Sequence, residues 1–104
     1  MMERRSFVLA LKPGMKDEYV RRHDSLWPEM AQMLKDAGIR NYSIWWYRDR
    51  LFGYYECEDL ARADAFKAQS PVQRRWSEYM ADLISREEID GAPVPAPELV
   101  FSLP

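Results

Sequence analysis

His23 is the one histidine of the chain. Imidazole is also the one side chain whose unperturbed pKa, about 6.5, lies near neutral pH. Tyr19 precedes it by four residues. On a helix that spacing puts both on one face, with Cβ atoms roughly 5–6 Å apart. A phenol beside an imidazole can bind a hydroxylated ligand and pass a proton. The same histidine also fits a packed core, hydrogen-bonded to backbone, because charge-switching groups are functional only in some of their settings. Tyr42 opens an aromatic run and could point into a pocket, although strands favour aromatics in any case. Trp76 lies on a later helical stretch, where core packing is the plainer alternative. Cys57 reads as an inert strand residue, with no histidine or basic cluster beside it. Arg21-Arg22 and Arg74-Arg75 sit among acidic residues and read as solvated helix faces, not phosphate sites. The sequence holds no Gly-rich phosphate loop, nucleophile elbow or carboxylate metal cluster.

The elements that must position these groups follow from 104 residues, a length that suits one domain spanning 1–104. Fifteen basic against 17 acidic residues give a net charge of −2. That balance argues against nucleic acid or an anionic membrane surface as a partner, since phosphate binding needs a basic face. One cysteine and one histidine exclude a disulfide framework and multi-histidine or Cys-rich metal sites. The apolar run Tyr42–Tyr47 is too short to span a bilayer, and the first residues show no signal-peptide pattern. A cytoplasmic setting is expected.

Ser6–Leu11 is a short apolar run ended by Lys12-Pro13-Gly14, hence a first strand. From Met15 to Ala37, apolar residues recur at three or four, which is a helical stripe, and Gly38 is its C-cap candidate. Pro28 cannot donate to the carbonyl four residues back, so the helix should kink or restart near Asp24-Ser25, both good N-cap residues. Tyr42–Tyr47 and Leu51–Cys57 read as two strands joined by a turn at Arg48-Asp49-Arg50. Asp59 caps a helix from Leu60 to about Gln69, and Ser70-Pro71 starts another, which carries Val72, Trp76, Tyr79, Met80 and Leu83 on one side. Ile89–Pro97 holds Pro93, Pro95 and Pro97 and reads as an extended connector. Leu99–Leu103 is the expected last strand. The order β-α-β-β-α-α-β is an α+β, ferredoxin-like pattern with one antiparallel sheet. In the second strand Tyr42, Ile44 and Trp46 share one side, and Trp45 and Tyr47 the other. Helices cover one face only, so a homodimer with facing sheets and a concave site on or near the sheet are expected.

The blocks Glu18-Tyr19-Val20-Arg21-Arg22-His23, Trp27-Pro28-Glu29, Asn41-Tyr42-Ser43-Ile44, Arg75-Trp76 with Tyr79-Met80, and Val100–Pro104 together resemble the L-rhamnose mutarotase family over essentially the whole chain. The resemblance implies a dimeric α/β barrel of ferredoxin-like protomers that interconverts the α and β anomers of L-rhamnose. It implies no metal or organic cofactor and a small-molecule sugar as substrate. The family's proton-donor histidine falls on His23 and its substrate-contacting tyrosines on Tyr19 and Tyr42. Its substrate-contacting tryptophan pair begins at Trp76, with Ser77 in the second place.

Mutarotation opens a hemiacetal, turns the freed carbonyl and closes the ring. A positioned acid–base group supplies about 10²–10⁴-fold, so a lone histidine suffices. His23 is the expected proton donor to the ring oxygen, Tyr19 and Tyr42 would hold hydroxyls and relay a proton, and Trp76 would stack on the apolar side of the pyranose. Three other readings stay open at this point. They are a mutarotase for a related sugar such as L-fucose, a cofactor-free monooxygenase of the same fold, and a sugar-binding module without catalysis.

Overall fold

The computed structural model describes residues 2–85, 88–89, 92–93 and 96–104. The main sheet is built from β1 (Glu3–Leu11), β2 (Arg40–Tyr47), β3 (Arg50–Cys57) and β4 (Ile84–Ser85) in the order β2-β3-β1-β4. Every neighbouring pair is antiparallel. Among the described residues four helices accompany it: α1 (Lys16–Asp24), α2 (Pro28–Asp36), α3 (Leu60–Ala68) and α4 (Pro71–Met80), the last followed by a 3₁₀ turn at Ala81–Leu83. This is the expected α+β, ferredoxin-like arrangement. Strand β3 explains why the helices lie on one face. Leu51, Gly53, Tyr55 and Cys57 alternate as its buried residues, and the period of two sends all four to the same side. There Leu51, Tyr55 and Cys57 join Met30 and Met33 of α2, Ala63 of α3 and Met80 of α4 in one core.

The predicted helical stripe is two helices. Pro28 starts α2 at its first turn, as its fixed φ favours. Asp24 and Ser25 do not cap it, however. Ser25 closes α1, and Trp27 precedes α2 without a side-chain cap. The break therefore falls two residues later than the N-cap preferences indicate, because Pro28, not the cap residues, fixes where the backbone can restart. At the far end Gly38, at φ 84°, lets its own N–H reach the Lys35 carbonyl and that of Ile39 reach Leu34. That double bond closes α2 in the manner expected of a glycine just past a helix end. Asp59 and Ser70 cap α3 and α4 as predicted, accepting from the backbone N–H groups of Arg62 and Gln73. The β2–β3 turn is two residues long, with Arg48 at φ 49° and Asp49 at φ 59°. Tight hairpins require that left-handed pair, and two non-glycine residues adopt it here.

The closing strand is not where the sequence placed it. Residues 96–104 carry neither helix nor strand, and Leu99, Val100, Phe101 and Leu103 are exposed. The strand that completes the sheet is β4, paired through Ala10↔Ser85 and Leu11↔Ile84. Apolar, β-branched composition makes a strand only where a neighbour takes its backbone hydrogen bonds. In this chain the 3₁₀ turn delivers Ile84 and Ser85 to the Ala10–Leu11 end of β1. Arg4 Nη1 donates to Ser102 Oγ over 3.0 Å and ties the tail to β1. Where the predicted connector begins, β5 (Glu88–Ile89) pairs antiparallel with β6 (Ala92–Pro93). The rest of that stretch up to residue 95 lies outside the described residues.

Candidate functional site

Between the sheet and the helices lies a cavity of about 680 Å³, within the range of roughly 300–1,000 Å³ usual for small-molecule sites. The side of β2 carrying Tyr42, Ile44 and Trp46 lines it, while Trp45 and Tyr47 face outward and are exposed. Tyr19, His23, Tyr42, Trp76 and Ser77, the five residues singled out from the sequence, all contribute to its wall. The concave site is thus on the helix-covered face of the sheet.

Helix α1 holds His23 by two contacts with Tyr19. The rings stack at 4.2 Å between centroids and 27° between planes, as the four-residue spacing predicts. His23 Nδ1 lies 3.1 Å from the Tyr19 carbonyl oxygen. A carbonyl can only accept, so Nδ1 carries the proton and donates it, which leaves Nε2 as the free, lone-pair nitrogen. Burial pushes the His23 pKa below its ordinary value, partly offset by that backbone hydrogen bond and by the charge of Asp24. The imidazole is therefore neutral near pH 7.

Trp76 meets His23 edge-on, at 5.4 Å and 86°. Trp27 abuts Trp76 at 5.1 Å and stacks on Tyr79 at 5.4 Å. That ring cluster fixes the orientation of Trp76, which is only 7% exposed. Arg22 locks α1 to α4 beneath it. Its side chain is 11% exposed and contacts Glu18 and Asp82. It also donates to the Tyr79 carbonyl over 2.6 Å and lies 4.4 Å from the Tyr79 ring centre. The reading of Arg22 as a solvated residue is thus corrected. The long stem lets it reach across to a neighbouring helix, which local charge pattern does not reveal. Arg21 remains at the surface, paired with Glu18.

Tyr42 reaches the cavity from β2, 5.3 Å from the Tyr55 ring and edge-on to Phe7 at 6.3 Å. Among the described residues, neither the Tyr19 nor the Tyr42 hydroxyl has a protein hydrogen-bond partner. No sealed side-chain polar atom among them is orphaned either, so both hydroxyls open onto the cavity. Burial raises both phenols, Tyr42 to about 12 and Tyr19 further. Both stay protonated donors at any ordinary pH. Gly53 makes room for the Phe7 ring beside Tyr42. A Cβ there would stand 2.0 Å from Phe7 Cζ, and the two residues face each other across β1 and β3.

The cavity wall also includes Trp46, Asp24, Lys67 and Gln73, which the sequence did not single out as site residues. The alternation of β2 already put Trp46 beside Tyr42 and Ile44. Gln73 precedes Ser77 by one helical turn and donates to its hydroxyl over 3.0 Å, so the i, i+4 rule could have found it. Lys67 carries no local signal, since α3 is set over the sheet by tertiary packing alone. Among the described residues no group of three or more potential metal ligands occurs.

A family model described as L-rhamnose mutarotase matches residues 4–103. The chain belongs to the L-rhamnose mutarotase family. It is 44% identical to the L-rhamnose mutarotase of Pectobacterium carotovorum over 98% of this chain and 99% of that protein. With that of Phocaeicola vulgatus it shares 35% over 94% and 96%. A solved L-rhamnose mutarotase from Formosa agariphila superposes with a TM-score of 0.79 at 34% identity, over 97% of this chain and 98% of that one. Tetracenomycin F2 cyclase of Streptomyces glaucescens shares the fold, with a TM-score of 0.73 at 14% identity. The mutarotase family thus uses a scaffold that also carries unrelated chemistry, and the cavity residues must decide the reaction.

Proposed function

We propose that the chain interconverts the α and β anomers of L-rhamnose, with His23 as the proton-transferring group. The observation that carries this reading is the free Nε2 of a neutral imidazole on the wall of a ring-lined cavity, in a chain of the L-rhamnose mutarotase family. In ring opening Nε2 takes the proton of the anomeric hydroxyl. The C1–O1 bond becomes a carbonyl, the C1–O5 bond breaks, and the imidazolium hands its proton to O5. Both oxygens are bonded to C1, so one imidazole can serve both. Rotation about the C1–C2 bond of the open aldehyde followed by the reverse steps gives the other anomer. His23 is then the proton donor to the ring oxygen, charged for that step by the substrate itself.

Tyr19 and Tyr42 donate to sugar oxygens through their unpaired hydroxyls, and their raised pKa values keep them donors throughout. Trp76 offers its ring to the apolar side of the pyranose, and Ser77 a hydroxyl. No further group is needed for this chemistry, since acid–base positioning of about 10²–10⁴-fold acts on a reaction that already runs slowly in water. The reading places the chain in the cytoplasm as a homodimer with facing sheets. That pairing is supported by the exposed aromatic face of Trp45, Tyr47 and Phe52. No helix among the described residues is long and apolar enough to cross a membrane.

Saturation-transfer NMR of the anomeric protons tests the reaction. Exchange of L-rhamnose anomers above the buffer rate, and above the rates for L-fucose, L-lyxose, D-galactose and D-ribose, supports it. Equal rates with and without protein would refute it.

A further inference from the structure

Lys67 brings its side-chain amine to the cavity wall from the last turn of α3. Its ammonium lies 3.3 Å from the Tyr55 hydroxyl and 5.0 Å from the centre of that ring. Asp64 interacts with its charge at a distance but is bonded to another partner. Arg5 and Asp64 already form a two-bond pair, with Nη2 to Oδ2 at 3.0 Å. Lys67 itself makes no ion pair among the described residues. The cluster Arg5, Asp64 and Lys67 therefore holds one uncompensated positive charge.

The hydroxyl oxygen of Tyr55 also accepts from Arg5 over 3.0 Å, so both of its lone pairs are taken. Tyr55 is buried and fixed in the core, and it aims the ammonium while satisfying only one of its three N–H donors. The rest of the wall is largely apolar, with Phe7, Leu9, Ile44 and Met80 among its residues. An ammonium in such a place is stabilised by whatever oxygen acceptors the cavity's occupant brings.

We propose that Lys67 is a substrate-contacting residue that fixes which hydroxyl pattern the cavity accepts, its ammonium donating to one acceptor oxygen of the bound sugar. This rests on the mutarotase reading above. The proposal predicts a preference for aldoses carrying a hydroxyl at one particular ring carbon. It also separates the roles of the wall: His23 acts at C1, and Lys67 reads a non-reacting position.

The test compares wild type, Lys67→Met and Lys67→Arg on L-rhamnose and on its 2-, 3- and 4-deoxy analogues. Lys67→Met keeps the apolar stem and leaves Tyr55 bonded to Arg5. It should raise KM for L-rhamnose about 10–100-fold, as loss of a charged hydrogen bond does, with kcat changed less than about threefold. One deoxy analogue should bind wild type as poorly as L-rhamnose binds the methionine variant, and on that analogue the substitution should add nothing. Lys67→Arg should recover most of the KM. A merely structural lysine would weaken all four sugars by one common factor, and that result, or an unchanged KM, overturns the proposal. If wild type exchanges no L-rhamnose anomers, the mutarotase reading falls. Calorimetric titration of the same four sugars then decides for Lys67 by the same pattern.

Discussion

The backbone carbonyl of Tyr19 takes the Nδ1 proton of His23 over 3.1 Å, and the Tyr19 ring stacks on the imidazole it holds. One residue thus sets both the tautomer and the plane of the other. The carbonyl can do so because its oxygen has two lone pairs, so a side-chain donor can be accepted beside a backbone one. The four-residue spacing along α1 puts that carbonyl within reach of the His23 side chain. His23→Ala removes the acceptor nitrogen and should lower anomer exchange by about 10²–10⁴-fold. His23→Gln places no titratable group there and should do the same. Line-shape or saturation-transfer NMR on L-rhamnose reads both, and exchange at the wild-type rate in either variant would remove His23 from the reaction.

The direction of the His23 shift sets the pH profile. Burial lowers its pKa from 6.5, so the neutral form that accepts a proton persists into mildly acidic solution. The exchange rate should be flat above about pH 6.5 and fall only below the lowered pKa. Stability follows the same sign. The unfolded chain takes up the proton first, so folding should lose stability as pH drops below 6.5, until the folded histidine is itself protonated. In His23→Gln that part of the acid-side loss should vanish. Thermal melts of both proteins between pH 7 and 5 measure the difference, and parallel curves would show that the imidazole is not buried as described.

Tyr19→Phe and Tyr42→Phe keep the ring contacts and delete a hydroxyl that has no protein partner. Each should therefore fold as stably as wild type, within about 0.5 kcal/mol. Each should also raise KM for L-rhamnose about tenfold through loss of one hydrogen bond. Neither should approach the loss seen at His23. A phenylalanine variant as inactive as His23→Ala would move the acid role to that phenol.

What the sequence revealed depended on whether the signal was local. Tyr19 and His23 share a helix at four-residue spacing, and Tyr42 sits in a strand of period two, so their faces follow from chain geometry alone. Gly38, Asp59, Ser70 and Pro71 act on neighbouring backbone and were legible for the same reason. Lys67 and Arg22 were not, because each reaches a partner brought near only by packing: Tyr55 in one case, Asp82 and Tyr79 in the other. The segment at residues 99–103 misled for the converse reason. It has the composition of a strand, yet composition does not choose a partner: Ile84 and Ser85 take the Ala10–Leu11 end of β1, and residues 99–103 join no ladder among the described residues.

The close approach of Phe7 to Gly53 gives a steric prediction. In Gly53→Ala the new Cβ would fall 2.0 Å from Phe7 Cζ, so the ring must move, and Tyr42 is its edge-on neighbour. Overpacking of this kind costs about 1–3 kcal/mol. The variant should melt lower and bind L-rhamnose more weakly, because Phe7 and Tyr42 both line the cavity. Shrinking the ring should restore room, so Phe7→Leu combined with Gly53→Ala should regain part of the stability. Melting curves of the two single variants and the double variant decide it. A purely additive loss would mean that the two positions are not coupled.

The outer face of the sheet gives the last prediction. Trp45 is 69% exposed and pairs across the strands with Phe52, which is itself exposed. Two adjacent aromatics on the outer sheet face, with Tyr47 beside them, form the kind of apolar patch that a second subunit covers. In solution the wild type should run at about twice the 12.4 kDa of one chain. Trp45→Glu puts a carboxylate on that face, and two copies of it in a pair of facing sheets would have to be buried without a partner, which is strongly unfavourable. The variant should shift to the single-chain mass by light scattering while keeping its helix content by circular dichroism. The cavity lies on the opposite face, so sugar binding per chain tests how far each protomer is complete on its own. A wild type that already runs as a single chain would leave this aromatic face uncovered and defeat the dimer.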